Sequence, residues 1–160
     1  MKRNALVSIA VLLSIGAAYA QKRDANDPDQ KELYKYVLTM DKVKKLGSAT
    51  HDLQEARKKH PELNTAGGDG DSKDLNDMVS KIQKFPEVVS ILSRNGLTPR
   101  EYAVGFFTLL QASMAVGFKK GGAYKEYPPE MLQLVSRQNL DFVDQHFDEI
   151  RKLVKMGDDQ

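Results

Sequence analysis

The sequence contains no cysteine and no tryptophan in its 160 residues. The absence of cysteine excludes disulfide scaffolds, thiol catalysis, cysteine-ligated zinc, iron–sulfur clusters and covalently attached c-type haem. A single domain of this length buries roughly two-thirds of the surface of its unfolded chain, so it needs no covalent cross-link. A hydrophobic core therefore has to hold the fold together.

Signature motifs of common enzyme classes are also missing. The sequence has no G-x-S-x-G nucleophile elbow, no Walker phosphate loop, no dinucleotide-binding fingerprint and no H-E-x-x-H zinc motif. No residue is therefore assigned a catalytic role, and neither a cofactor nor a metal is predicted. A non-catalytic binding or interaction module is favoured over an enzyme.

The first twenty residues have the pattern of a secretory signal peptide. Two basic residues precede an apolar stretch over 5–15, and the small-x-small cleavage triplet A-Y-A follows it. A transmembrane anchor is the alternative, but spanning a bilayer needs about twenty apolar residues and this stretch has eleven. We predict cleavage between Ala20 and Gln21, with export to the periplasm or to the extracellular space.

Removal of this segment takes away the excess positive charge. Lys2 and Arg3 are its only charged residues, so the mature chain keeps 22 of the 24 basic residues against 22 acidic ones. A formal net charge of zero removes the electrostatic basis for general nucleic-acid binding. No nucleic acid is therefore predicted as a partner.

Beyond the cleavage site the sequence divides into three parts. Residues 21–31 are polar and nearly free of apolar side chains, so they are predicted to form a flexible leader. Residues 32–157 carry helical periodicity and are predicted to form one all-α domain, and residues 158–160 form a frayed tail. The mature chain is thus predicted to have a single helical domain.

Capping and helix-breaking residues predict the borders of five helices. A Ser, Thr, Asp or Asn side chain accepts hydrogen bonds from the first free amides of a helix, and Pro fits the first turn. Gly after a helix adopts the left-handed conformation that ends it. Helices are therefore predicted to start at Thr39, Ser72, Pro86, Thr98 and Ser136, with stops at Pro61 and at Asn95-Gly96.

Residues 98–118 are predicted to form the central helix of the fold. Thr98, with Glu101 three residues later, makes a capping-box pattern. Residues 102–118 carry no charge and are apolar on all sides, which is typical of a buried helix or of a membrane span. Because seventeen residues are short for a span, we predict no membrane span in the mature chain. We expect a compact bundle of about five helices around this helix, with Leu110 deep in the core.

Three segments resemble parts of a known group of proteins. YVLTMDKVKKL, GLTPREYAVGFFTLLQA and NLDFVDQHFDEI are similar to segments of small exported bacterial helical proteins, a group with no known activity. The similarity covers roughly residues 36–155, and it implies an all-α fold and export. Its segments are helix starts and apolar stripes, so the resemblance implies no reaction.

Gln111 is the leading candidate for a ligand-binding residue. It lies in the middle of the apolar helix, where an amide without a hydrogen-bond partner costs about 1–3 kcal/mol. One interpretation is a structural hydrogen bond to the backbone of the loop 121–129. The other is a polar group inside a ligand pocket, with Tyr124 and Tyr127 as lid residues. The expected partner is a small apolar ligand or another protein.

A periplasmic haem- or metal-binding bundle, acting as an electron carrier or an enzyme, is the alternative function. Non-covalent haem between helices would use Met40 and His146 as its axial ligands. His51 with Glu55, and His146 with Glu149, lie on common helix faces with a spacing that suits metal ligands. Each of these residues also fits an ordinary core or surface position.

Overall fold

The computed structural model describes residues 27–65 and 74–154. Within these ranges the chain forms eight α-helices, one short 3₁₀ helix at Pro61–Thr65 and no β-strand, so the all-α fold class is confirmed. The predicted signal peptide with its cleavage site at Ala20 and Gln21, and the tail 158–160, lie outside the described residues. The helices are α1 Pro28–Lys35, α2 Met40–Lys59, α3 Leu75–Gln83, α4 Pro86–Arg94, α5 Pro99–Lys120, α6 Pro129–Leu134, α7 Arg137–Gln145 and α8 Phe147–Val154.

Helix α1 lies where the sequence predicts a flexible leader. The carboxylate of Asp27 caps it by accepting a hydrogen bond from the amide of Asp29 at 2.8 Å. Gln30 is only 1% exposed, and its Nε2 donates to the backbone carbonyl of Leu134 at 2.6 Å. The helical part of the chain therefore starts before the predicted boundary at residue 32, because buried hydrogen bonds hold these polar residues in place.

Most helix borders lie where the capping pattern predicts them. The side chains of Thr39 and Ser136 accept hydrogen bonds from first-turn amides of α2 and α7, and Gly96 ends α4 with a φ of 68°. The cap of α3 differs from the prediction. Asp74 is its N-cap and accepts from a first-turn amide at 2.7 Å, whereas Ser72 lies outside the described residues.

Helix α5 has the capping box that its sequence predicts. The hydroxyl of Thr98 accepts from the amide of Glu101 at 3.1 Å, and a Glu101 carboxylate oxygen accepts from the amide of Thr98 at 2.9 Å. The helix packs against α1, α2, α3, α4 and α7. Leu110 is only half-buried, so its predicted place deep in the core is wrong, because its side chain borders a surface pocket.

None of the helices in the described ranges combines the length and the hydropathy that a membrane crossing requires. This holds for α5 as well, although its long uncharged stretch is also typical of a membrane span. The buried residues of α5 are instead covered by neighbouring helices of the same chain.

The last predicted helix is two helices in the structure. The chain changes direction at His146, which ends α7 with φ −111° and ψ 18°, and α8 follows directly. Helix α7 packs mainly against α5, whereas α8 packs mainly against α2. The contact between α8 and α2 is close, since a Cβ atom at Gly47 would lie 2.7 Å from the carbonyl oxygen of Leu153. This break, together with α1 and α6, raises the number of helices from about five to eight.

Candidate functional site

Gln111 contacts the segment that the sequence assigns to the leader. Its Nε2 lies 3.5 Å from Oε1 of Gln30, and the Nε2 of Gln30 donates in turn to Leu134. These contacts link α5, α1 and the end of α6. The amide thus has a structural partner, but that partner is a side chain of α1 and not the backbone of the loop 121–129.

Tyr124 and Tyr127 hold the loop between α5 and α6 against the end of α5. The hydroxyl of Tyr124 donates to the carbonyl of Ala115 at 2.7 Å, and the two tyrosine rings lie 6.1 Å apart. Tyr127 is 7% exposed, and burial, aided by the nearby Asp144 carboxylate, raises the pKa of Tyr127 to about 12. Within the described residues, no hydrogen bond joins Gln111 to either tyrosine.

The candidate haem ligands Met40 and His146 lie at helix ends. Met40 is the first residue of α2 and is half-buried against the core. His146 lies between α7 and α8, where its Nδ1 is 3.7 Å from a carboxylate oxygen of Glu149 and its ring is 5.0 Å from that of Phe142. The axial pairing of Met40 with His146 stays a prediction.

The second metal pair, His51 with Glu55, has other partners. His51 is exposed, with Nδ1 3.7 Å from the carboxylate of Asp52, and Glu55 pairs with Lys58 at 2.7 Å. The Lys58 ammonium lowers the pKa of the Glu55 carboxyl. In the part of the chain that the structure describes, no three His, Asp or Glu side chains form a group that could hold a metal ion.

A groove of about 440 Å³ runs between α2 and α8. Charged groups of both signs line it, since Lys44 and Asp52 both face it. The carboxylate of Asp52 already accepts a hydrogen bond from the side-chain amide of Asn95 at 3.0 Å. The groove therefore offers no single charge by which a ligand would be selected. Its lining residues are Lys44, Gly47, Ser48, His51, Asp52, Gln54, Leu153 and Val154.

A second and more apolar concavity lies between α5 and α8, and we call it the α5–α8 pocket. Its volume is about 180 Å³. The hydroxyl of Ser113 is buried in its wall and has no hydrogen-bond partner in the described part of the chain. Arg151 contributes the charged group. The lining residues are Leu110, Ser113, Met114, Phe147, Ile150 and Arg151.

Helix geometry brings these lining residues together. Leu110, Ser113 and Met114 are three or four positions apart, so they share one face of α5, and Phe147, Ile150 and Arg151 share one face of α8 in the same way. The sequence shows both faces, but only as apolar stripes of the core. The pocket lies where α8, after the break at His146, packs mainly against α2 and not against α5, and no local signal in the sequence specifies this placement.

No protein family, no curated protein and no solved structure matches the chain. The resemblance of three segments to exported helical proteins therefore stays a prediction.

Proposed function

We propose that the protein is an exported, non-catalytic helical module that binds a small apolar ligand in the α5–α8 pocket. Export is supported by the pattern of the first twenty residues. The scaffold of this proposal is a single bundle organised around α5, which packs against five other helices. The fold presents the pocket at the surface of that bundle, between α5 and α8.

The observation that carries the proposal is the lining of the α5–α8 pocket. Four of its six lining residues are the large apolar residues Leu110, Met114, Phe147 and Ile150. An enclosed apolar cavity of about 150 Å³ admits benzene, and this surface pocket of about 180 Å³ offers comparable room for a six-membered ring or a short acyl chain. Transfer of such a group from water is favourable by about 25 cal/mol for each Å² of apolar surface buried.

The pocket is favoured over the groove between α2 and α8 despite its smaller volume. Apolar walls with few polar groups are typical of small-molecule sites. The groove has polar and charged side chains along α2, and Asp52 is already engaged with Asn95. Among the described residues, the α5–α8 pocket has instead one hydroxyl without a hydrogen-bond partner, that of Ser113, which is buried in its wall.

The first test is titration of the purified protein with benzene, followed by nuclear magnetic resonance. Binding in the pocket shifts the signals of its six lining residues more than those of the groove. Leu110→Trp places a larger side chain in the pocket and is expected to weaken benzene binding at least tenfold. Phe118→Trp is the matched control, since Phe118 is on the same helix, is 47% exposed and does not line the pocket.

Two results would contradict the proposal. One is the absence of any benzene-dependent shift at the lining residues of the wild-type protein, which needs no variant to fold. The other is equal benzene affinity of a folded Leu110→Trp variant and the wild type. Native mass spectrometry of protein purified from its own host gives the complementary measurement, a bound mass that the Leu110→Trp variant lacks.

A further inference from the structure

We infer that the ligand of the α5–α8 pocket is a small carboxylate, with its apolar body between the helices and its carboxylate on Arg151. The inference rests on the proposed function and names the chemical class of its ligand. Arg151 lines the pocket from α8, and its side chain is exposed at the rim. Among the described residues that line it, the pocket thus combines apolar walls with a single positive charge, that of Arg151.

The guanidinium of Arg151 is available to a ligand. Among the described residues, no carboxylate forms an ion pair with it. Asp148 lies three positions before Arg151 on α8 but forms no ion pair with it. The carboxylate of Glu149 instead lies 3.7 Å from Nδ1 of His146. An incoming anion therefore does not have to displace a carboxylate of the residues that the structure describes.

A second cation near the pocket already has a carboxylate partner. The ammonium of Lys120 lies 5.5 Å from the centre of the Phe147 ring, which is part of the pocket wall. It pairs with the carboxylate of Asp144 at 2.8 Å, and Lys119 pairs with the same group at 3.3 Å. This cluster keeps one net positive charge, but neither lysine lines the pocket, so Arg151 is the cation in direct reach of a bound ligand.

The chemistry of the two partners matches. A guanidinium presents N–H groups in a planar fork that binds both oxygens of a carboxylate, whereas an ammonium ligand would be repelled. The alternative is a purely structural role, in which the methylene stem of the arginine covers apolar surface and its charged end stays in water. That purely structural role predicts a loss of packing when Arg151 is replaced, but it predicts no selection of ligand charge.

The test compares three probes that share one ring and differ in charge, namely benzene, benzoate and benzylamine. Dissociation constants are measured by calorimetry at about 0.15 M salt, where distant surface charges are screened. Benzoate is expected to bind the wild-type protein about fivefold more tightly than benzylamine, the upper range for an exposed ion pair. Arg151→Gln is expected to reduce this preference, and its benzene affinity reports separately any packing lost with the arginine stem.

The matched control is Lys152→Gln, which removes the same charge from the next residue of α8. Lys152 is exposed and does not line the pocket, so this variant is expected to keep the preference for benzoate. Equal affinity of the wild type for benzoate and benzylamine, or equal losses in the two variants, would overturn the inference. If benzene still binds, the proposed function survives that result. If neither benzene nor benzoate binds, the proposed function fails as well.

Discussion

Leu109 and Leu110 are neighbours in α5 but have different surroundings. Leu109 is 1% exposed and packs within the core. Leu110 is half-buried and forms part of the wall of the α5–α8 pocket. The cost of truncating a leucine depends on the cavity that is left behind, because the surroundings relax only partly.

We expect Leu109→Ala to lower the free energy of unfolding by about 2–5 kcal/mol. Leu110→Ala is expected to cost less, because it removes a side chain that already borders open space and it only enlarges the pocket. Urea unfolding of both variants and the wild type measures the difference. Equal losses for the two variants would show that Leu110 is as deeply packed as its neighbour.

At the level of elements, α1 is held to the bundle by polar contacts from one side of the helix. A carboxylate oxygen of Asp29 accepts from the amide of Leu75 at 2.6 Å, at the start of α3. Glu32 accepts from Nε of Arg100 at 2.9 Å, in the first turn of α5. Helix α1 therefore joins the starts of two other helices, and its polar residues are part of the fold.

The start of α5 has a carboxylate whose protonation affects folding. The hydrogen bond from the backbone amide of Thr98 lowers the pKa of Glu101 below its ordinary value of 4.5, and the Thr98 side chain adds to this. A group with a lowered pKa in the folded state stabilises the fold above its ordinary pKa. This contribution is lost as the pH falls through the folded-state value.

Glu101→Gln is therefore expected to destabilise the protein by about 0.3–1 kcal/mol at neutral pH, the usual worth of a carboxylate at a helix start. The difference in the free energy of unfolding between the variant and the wild type should disappear as the pH falls below 4.5. Urea unfolding at neutral and at acidic pH tests this. Glu126→Gln makes the same change in the exposed loop before α6, at a carboxylate that forms no capping hydrogen bond, and should cost little at either pH. If the difference in the free energy of unfolding between Glu101→Gln and the wild type stays constant with pH, the explanation is wrong.

On the scale of the whole molecule, the boundary between the targeting segment and the mature protein can be measured. We predict that the exported protein begins at Gln21, because the A-Y-A triplet ends at Ala20. N-terminal sequencing or intact mass of the protein recovered from outside the cytoplasm gives the result directly. An intact Met1 would contradict the signal peptide and would restore the transmembrane anchor as the explanation of residues 5–15.

Local interactions explain what the sequence by itself determined. A helix cap, a proline in a first turn and a left-handed glycine act within about one turn of the chain. Thr39, Pro86, Thr98 and Ser136 consequently mark their helix starts correctly, and Gly96 marks a stop. The all-α class follows from the same signals together with the 3.6-residue periodicity.

Contacts between distant parts of the chain decided the rest. Helix α1 is stable because Gln30 and Asp29 find partners about 104 and 46 residues away, and polar composition alone predicts the opposite. The break at His146 exists because α7 and α8 pack on different helices. The α5–α8 pocket lies beside the helix that follows this break, and that helix approaches α2 closely at Gly47. The position of the pocket is therefore a property of the tertiary structure. The space between two helices depends on their relative orientation, which the sequence of neither helix specifies by itself.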